Sequence, residues 1–307
     1  MSRTAAILLC TYDGESYLPA QLDSFDSQTY SNWIVHASDD SRGSGTRAIL
    51  EQYRQKWGPA RMSIWRGPQK GFAANFLSLA CNPSIDADIY FFSDQDDIWK
   101  PAKIDRAARW LASIPDDVPA LYCSRTQLID EHGNSLGYSP LFKRQPCFAN
   151  ALAQNVGGGN TMAFNRAARD LLVKTGPHTQ IVAHDWWTYL LVSACGGHVH
   201  YDGCPSILYR QHGGNLIGAN KSARARLYRL NMLLKGHLKA WNDTHIEALM
   251  PHQSMMSPEN RAKLNCFSQA RNRSFFPRVW GVLGSGIYRQ TVMGNIGLAA
   301  AALFNRI

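Results

Sequence analysis

Asp94, Asp96 and Asp97 put three carboxylates within four positions, directly after the apolar run Ile89-Tyr90-Phe91-Phe92. Like charges this close repel one another unless a cation is shared between them. Carboxylate oxygens suit Mg²⁺ and Mn²⁺, so the cluster can hold a divalent ion against a diphosphate. A solvated acidic turn would carry the same residues. What separates the two readings is where the other chemically capable residues fall. Asp13 follows the apolar run Ala5-Ala6-Ile7-Leu8-Leu9-Cys10, and Asp39 and Asp40 follow Trp33-Ile34-Val35-His36-Ala37. Asp185 opens the apolar stretch Trp186-Trp187-Thr188-Tyr189-Leu190-Leu191, and His212 lies in Gln211-His212-Gly213-Gly214-Asn215. Gly157-Gly158-Gly159 either lets backbone approach a ligand closely or is a plain flexible loop.

The elements that must position these residues alternate. Apolar runs at 5–10, 33–37, 62–65 and 89–92 predict strands. Helices are expected between them at 18–25, 46–57 and 71–81, and after them from Pro101 to Leu111. This order predicts an α/β domain whose mostly parallel sheet is flanked by helices. Ligands of such sheets bind past the carboxyl ends of the strands. Asp13, Asp39, Asp40, Asp94, Asp96 and Asp97 all fall at that edge, which scattered surface acids would not do. Further on, strands are expected at 120–123, 126–129, 161–164, 198–201 and 206–210. Helices are expected at 166–173 and from Asp185, whose carboxylate is a candidate N-cap.

Residues 1–220 thus read as one catalytic-type domain and 221–307 as a helical, basic extension. The net charge is +9. Residues 211–307 carry 13 Lys/Arg against 3 Asp/Glu, a local +10, so the rest of the chain is nearly neutral. An anionic partner for the extension is expected: lipid headgroups, nucleic acid or a phosphorylated acceptor. Leu227, Leu230, Leu234, Leu238 and Trp241 recur at helical steps among Arg224, Arg226, Arg229, Lys235 and Lys239. That pattern suits a helix lying on an anionic membrane or one packed on the main domain. Phe275–Phe304 is a second candidate for the membrane surface. Seven cysteines without a Cys-x-x-Cys pair argue against a disulfide framework or thiolate zinc site. The amino-terminal apolar run is too short for a signal peptide, and Ile296–Phe304 is too short to span a bilayer. A cytoplasmic chain, peripheral to the membrane, is expected.

Five segments occur in an order that resembles the family-2 glycosyltransferases, inverting enzymes of the GT-A fold. They are Ile7–Gly14, Ser38-Asp39-Asp40, Ser93–Pro101, His184-Asp185-Trp186-Trp187 and Tyr209–Asn215. The Ser-Asp-Gln-Asp-Asp-Ile-Trp and His-Asp-Trp-Trp forms look most like rhamnosyltransferase-type members that build bacterial surface polysaccharides. No Gln-x-x-Arg-Trp motif of processive synthases is found, so the resemblance implies transfer of single sugars. It implies a dTDP- or UDP-sugar donor, dTDP-L-rhamnose foremost, and a lipid-linked saccharide acceptor at the cytoplasmic face of the inner membrane in O-antigen- or capsule-type synthesis. It also implies Mn²⁺ or Mg²⁺ as cofactor. Asp96 matches a direct metal ligand, Asp94 a ribose or metal-water contact, and His212 a metal or diphosphate contact. Asp185 matches the catalytic base, kept ionised by the helix amides. Thr11, Tyr12, Asp13, Asp40 and Gln95 match positions around the nucleotide, and Gly158 and Gly159 line the donor and acceptor cleft. Asp97, Trp186 and Gln211 are expected in support.

Two other classes fit less well. A nucleotidyltransferase would carry a Gly-rich loop after its first strand, where Thr11-Tyr12-Asp13-Gly14 stands. A nucleic-acid-binding protein is disfavoured by the near-neutral charge of residues 1–210 and by the lack of an aromatic–basic stacking motif.

Overall fold

The computed structural model describes residues 3–212 and 236–307. Strands β1 (Ala5–Thr11), β2 (Trp33–Asp39), β3 (Met62–Arg66) and β4 (Ile89–Ser93) pair in parallel in the order β3-β2-β1-β4. Helices α1 (Leu18–Asp26), α2 (Gly45–Trp57) and α3 (Phe72–Ala80) connect them. β1 is buried along its whole length, which is why it reads as an unbroken apolar run. Its alternate side chains enter two cores. Ala5, Ile7 and Leu9 pack with α1, α2 and α4 (Lys103–Ala112), whereas Ala6, Leu8 and Cys10 pack with α3 and the later helices. The expected α/β architecture is therefore present.

The sheet continues past β4 through β8 (Ala163–Asn165), β6 (Ala120–Ile129), β9 (His198–Arg210) and β5 (Ile98–Trp99). β8 runs antiparallel to both β4 and β6, β6 and β9 are parallel, and β7 (Ser135–Tyr138) forms a hairpin with β6. Two pairs of expected strands are in fact single strands. Residues 120–129 continue through Ser124 because its hydroxyl meets that of Ser206 at 2.6 Å across the β6–β9 ladder. Residues 198–210 continue through the polar stretch at 202–205 because Tyr122 Oη donates to Asp202 at 2.6 Å and Arg106 pairs with the same carboxylate. Polar residues inside these strands are satisfied by each other, which a run of single-residue propensities does not register.

After α5 (Phe148–Ala151), α6 (Arg166–Thr175) and α7 (His184–Ala194), the described chain resumes as α8 (His237–Leu249), α9 (Pro258–Arg271), α10 (Phe275–Gly284) and α11 (Val292–Leu303). These last helices share the core of the sheet-bearing half. Leu238, Leu249, Leu264, Phe267, Val282 and Leu298 are buried in one cluster with Trp187, Leu190 and Phe164. Of the predicted leucine stripe, Leu227, Leu230 and Leu234 lie outside the described residues. Its described end turns inward: Leu238 is buried, and the Trp241 ring meets Trp186 edge-on at 5.9 Å.

Candidate active site

The pairing of β1 between β2 and β4 brings three strand ends side by side. Their loops are then cross-tied. Gln95, past β4, accepts from the Tyr12 amide at 2.8 Å and donates to the Tyr12 carbonyl at 2.9 Å. Its amide thus locks two strand ends together. Gly14 sits under this clamp; a Cβ there would lie 2.3 Å from Gln95 Oε1. Thr11 Oγ1 donates to Asp39 Oδ1 at 2.9 Å, and Ser41 Oγ donates to the same oxygen at 2.6 Å. Asp39 is therefore a turn-builder. Asp13 is exposed with a positive φ of 45°, its amide donating to Ser41 Oγ at 2.8 Å. The Tyr12 ring is left 58% exposed, free of the core and available as a surface against a flat ligand.

Asp40 is buried and accepts from the Gln69 amide at 2.8 Å. Burial raises its pKa. Gly67 makes room for it, since a Cβ at that position would lie 2.1 Å from Asp40 Oδ1. The thiol of Cys10 is also pushed up, by burial and then by the charges of Asp94 and Asp40, so it lies within the field of both acids.

Asp185 stands opposite. Ala183 occupies the N-cap of α7, so Asp185 lies in the first turn, not at the cap as expected. Its Oδ1 accepts from the Trp186 amide at 2.6 Å and its Oδ2 from the Gly159 amide at 3.0 Å. Burial outweighs these hydrogen bonds and pushes its pKa up to about 6, against the expectation of an ordinary low value. Gly159 can approach because it lacks a side chain: a Cβ would lie 2.3 Å from Nε2 of His184. The His184 ring is stacked on Phe76 at 3.7 Å and burial pushes its pKa down to about 3, so it is a neutral packing element. Gly158 is exposed beside it.

Asp94 links the two sides. Burial raises its pKa, and the Asp96 and Asp185 carboxylates raise it further. The Asp96 and Asp185 charges thus both reach Asp94, which places the three acids in one region of the molecule. Asp96 Oδ2 is 2.8 Å from His212 Nε2. Around that contact, the Tyr17 ring lies 4.9 Å from the His212 ring, and Arg210 sits over Tyr17 while donating to the Asp96 carbonyl at 3.1 Å.

Asp97 lies beneath this group: burial pushes its pKa well up, and the Asp96 and Asp94 charges push it further. It is fully buried, accepts from the Asn160 side chain and accepts from the Arg210 amide at 3.1 Å. Lys103, also buried, donates to the Asn160 carbonyl at 2.9 Å; burial pushes it down to about 7 while the Asp97 charge holds it up. This interior knot fixes the Gly158–Gly159 turn against the end of β9. Trp186 also points inward, its Nε1 donating to the Ala151 carbonyl at 2.7 Å. The Gln211 backbone amide donates to the Ile129 carbonyl at 2.8 Å, which continues the β6–β9 ladder by one residue.

The sequence model of the glycosyl transferase family 2 matches residues 6–171, which carry every strand of the sheet but β9, together with its acidic edge. The chain belongs to that family. As a family-2 member it is a nucleotide-sugar glycosyltransferase. It is 27% identical over 239 residues to the dTDP-rhamnosyl transferase RfbG of Shigella flexneri, covering 73% of this chain and 78% of that one. Its fold is similar to S. aureus TarS 1-349 in complex with UDP-GlcNAc, with a TM-score of 0.55 at 14% identity, over 99% of this chain and 89% of TarS. It is also similar to the mannosyltransferase PcManGT of Pyrobaculum calidifontis in complex with GDP-Man and Mn²⁺, with a TM-score of 0.51 at 16% identity, over 99% and 87% of the two chains.

For a metal, the transferase offers an oxygen and an imidazole in contact at Asp96 and His212, a donor pair suited to Mn²⁺. No three His, Cys, Asp or Glu side chains form a cage among the described residues. The pair fits a cation completed by diphosphate and water, the usual arrangement for Mg²⁺-type ions. The residues that sequence patterns did not single out are Tyr17, Gly67, Gln69, Asn160 and Lys103. Gly67 and Gln69 carried a usable signal, because they lie in the loop after β3 at the same sheet edge. Lys103 did not, because its partners are remote in sequence.

Proposed function

We propose that this transferase moves one L-rhamnose from dTDP-L-rhamnose to a hydroxyl of a lipid-linked saccharide, in O-antigen- or capsule-type polysaccharide synthesis. The acceptor's diphosphate would lie at the cytoplasmic, anionic face of the inner membrane. The observation that carries the chemistry is the convergence of Asp185 and Asp96 on Asp94 at the carboxyl edge of the sheet. The donor assignment draws on the similarity to a dTDP-rhamnosyl transferase.

In this reading Asp185 accepts the proton of the acceptor hydroxyl. The acceptor oxygen forms its bond to the anomeric carbon as the bond to the diphosphate oxygen breaks, which inverts the configuration. A base with a pKa of about 6 is better matched to a neutral medium than an ordinary carboxylate, while still mostly ionised there. The amides of Gly159 and Trp186 fix its two oxygens, so it meets the hydroxyl in one orientation. Asp96 and His212 would hold Mn²⁺ or Mg²⁺, which when bound neutralises the departing diphosphate. Asp40 and the exposed Tyr12 ring would border the pyrimidine, with Thr11 and Asp13 shaping that turn. Asp94 would face the ribose or a water on the metal.

A thermal-shift screen of nucleotide sugars with Mn²⁺ tests the donor. Stabilisation by dTDP-L-rhamnose above UDP-hexoses and GDP-mannose is expected. A larger shift with a UDP-hexose would replace the donor and leave the transfer chemistry intact.

A further inference from the structure

The outer surface of the last two helices is unusual for a chain in water. Phe276 is 72% exposed, Trp280 75%, Val292 77% and Met293 75%. Leu283, Ile296, Leu303 and Phe304 are exposed as well. Phe276, Trp280 and Leu283 recur at four- and three-residue steps along α10, so they share one stripe. Val292, Ile296 and Leu303, at four- and seven-residue steps, do so along α11. The opposite sides of both helices are already occupied, by Val282 on α10 and by Leu298, Ala301 and Ala302 on α11. Apolar residues therefore cover two faces of each helix, and only one is needed for the core.

The two stripes are held as a unit. Arg278 is buried and donates to the Ala302 carbonyl at 2.7 Å and to the Leu303 carbonyl at 3.3 Å, closing the end of α11 from within α10. The unit is also fixed to the catalytic half. Gln290, between the helices, donates to the Arg144 carbonyl at 3.0 Å and accepts from the Arg144 amide at 3.2 Å. Asn150 of α5 donates to the Tyr288 carbonyl at 3.0 Å. The next residue of α5, Ala151, receives the Trp186 indole beside Asp185.

Charge identifies the occupant. No Asp or Glu occurs after Glu259, whereas Arg261, Lys263, Arg271, Arg273, Arg278, Arg289 and Arg306 do. Arg273 and Arg306 are exposed near the two stripes. A two-fold contact with a second copy would set these cations against themselves. An anionic bilayer would pair with them and take up the aromatic and aliphatic side chains. No helix among the described residues is long and apolar enough to cross a membrane, so the fit is to its surface.

We infer that the exposed faces of α10 and α11 are the seat of this protein on an anionic lipid bilayer, with Phe276, Trp280, Val292 and Met293 inserted at the headgroup–acyl boundary. This rests on the proposed function only for its biological setting. The described end of the earlier leucine stripe packs inward, so the docking surface is assigned to these later helices.

The test is flotation of the full chain with vesicles of phosphatidylglycerol and phosphatidylcholine, compared with phosphatidylcholine alone. Strong partitioning to the anionic vesicles is expected. Phe276→Ser with Trp280→Ser, both at exposed positions, should lower the partition coefficient by about tenfold or more. Arg273→Gln with Arg306→Gln should lower it roughly fivefold per charge removed. Thermal stabilisation by dTDP-L-rhamnose should persist in all variants, which separates loss of docking from loss of fold. Equal flotation of the serine variant and the parent overturns the inference. So does equal binding to neutral vesicles, or a parent dimer in sedimentation that the serine variant dissolves. Vesicle binding as expected without any nucleotide-sugar binding would remove the functional proposal and leave the docking surface standing.

Discussion

The two ends of the chain spend their unusual residues in opposite ways. At the sheet edge, acids are drawn inward: Asp40 and Asp97 are buried, and Asp94 and Asp185 titrate above ordinary carboxylates. On α10 and α11, aromatic and aliphatic side chains are pushed outward, with Trp280 and Val292 three-quarters exposed. Each arrangement costs free energy in isolation, through charge desolvation in one case and hydration of apolar surface in the other. Residues placed against their solvent preference need a partner to make the placement favourable; on the readings proposed above it is a cation and diphosphate for the first and lipid for the second.

The sharpest break between the two regions is Asp185→Asn. Turnover should fall by about a thousandfold, the usual worth of a positioned general base, with nucleotide-sugar affinity and vesicle binding nearly unchanged. Steady-state transfer assays with the thermal-shift screen would show it; a variant as active as the parent would remove Asp185 as the base. Lys103→Met probes the interior knot. The buried Asn160 carbonyl would lose its donor, at a cost of about 2 kcal/mol in stability, read by denaturant unfolding. Next is Asp96→Ala, which should weaken Mn²⁺-dependent nucleotide binding by about tenfold or more through loss of a charge-assisted contact. Unaltered Mn²⁺ dependence in calorimetry would place the ion elsewhere.

The smallest effect is one of pH. The folded pKa of Asp185 is raised to about 6, so the carboxylate form is the one that folding penalises. Its contribution to stability is fully present below the unfolded value, near 4, and is lost as pH rises through about 6. Transfer should rise over that window as the base ionises, while the melting temperature declines slightly. Asp185→Asn should abolish this part of the decline and melt higher than the parent at pH 8. A melting curve whose pH dependence is unchanged in the variant would show that Asp185 is not the desolvated group described here.

Local patterns read well where one requirement dominates. Strands β1, β2 and β4 are buried on both faces, and burial demands continuous apolar runs, so their positions and the acids beyond them follow from composition alone. Asp185 and His212 stand out as polar residues set against apolar or glycine-rich stretches, but only the family resemblance suggests roles for them. Gln95, Asp97 and Trp186 read differently in isolation. Each sits within a functional-looking motif, yet Gln95 binds backbone, Asp97 accepts from Asn160 and Arg210, and Trp186 donates to Ala151. Their partners are more than thirty residues away in the chain, beyond the reach of any periodic pattern.

From the order of its residues this chain settled its family, its alternating architecture and the sheet edge at which acids collect. The family follows from five ordered motifs; the architecture and the edge follow from solvent preference and strand or helix period, which act residue by residue. The folded molecule decided which acids face one another, which are buried as ties and how far the Asp185 carboxyl is shifted. It also turned the described end of the leucine stripe inward and left α10 and α11 apolar on the outside. Desolvation and packing depend on what lies across space, and only the closed fold brings those neighbours together.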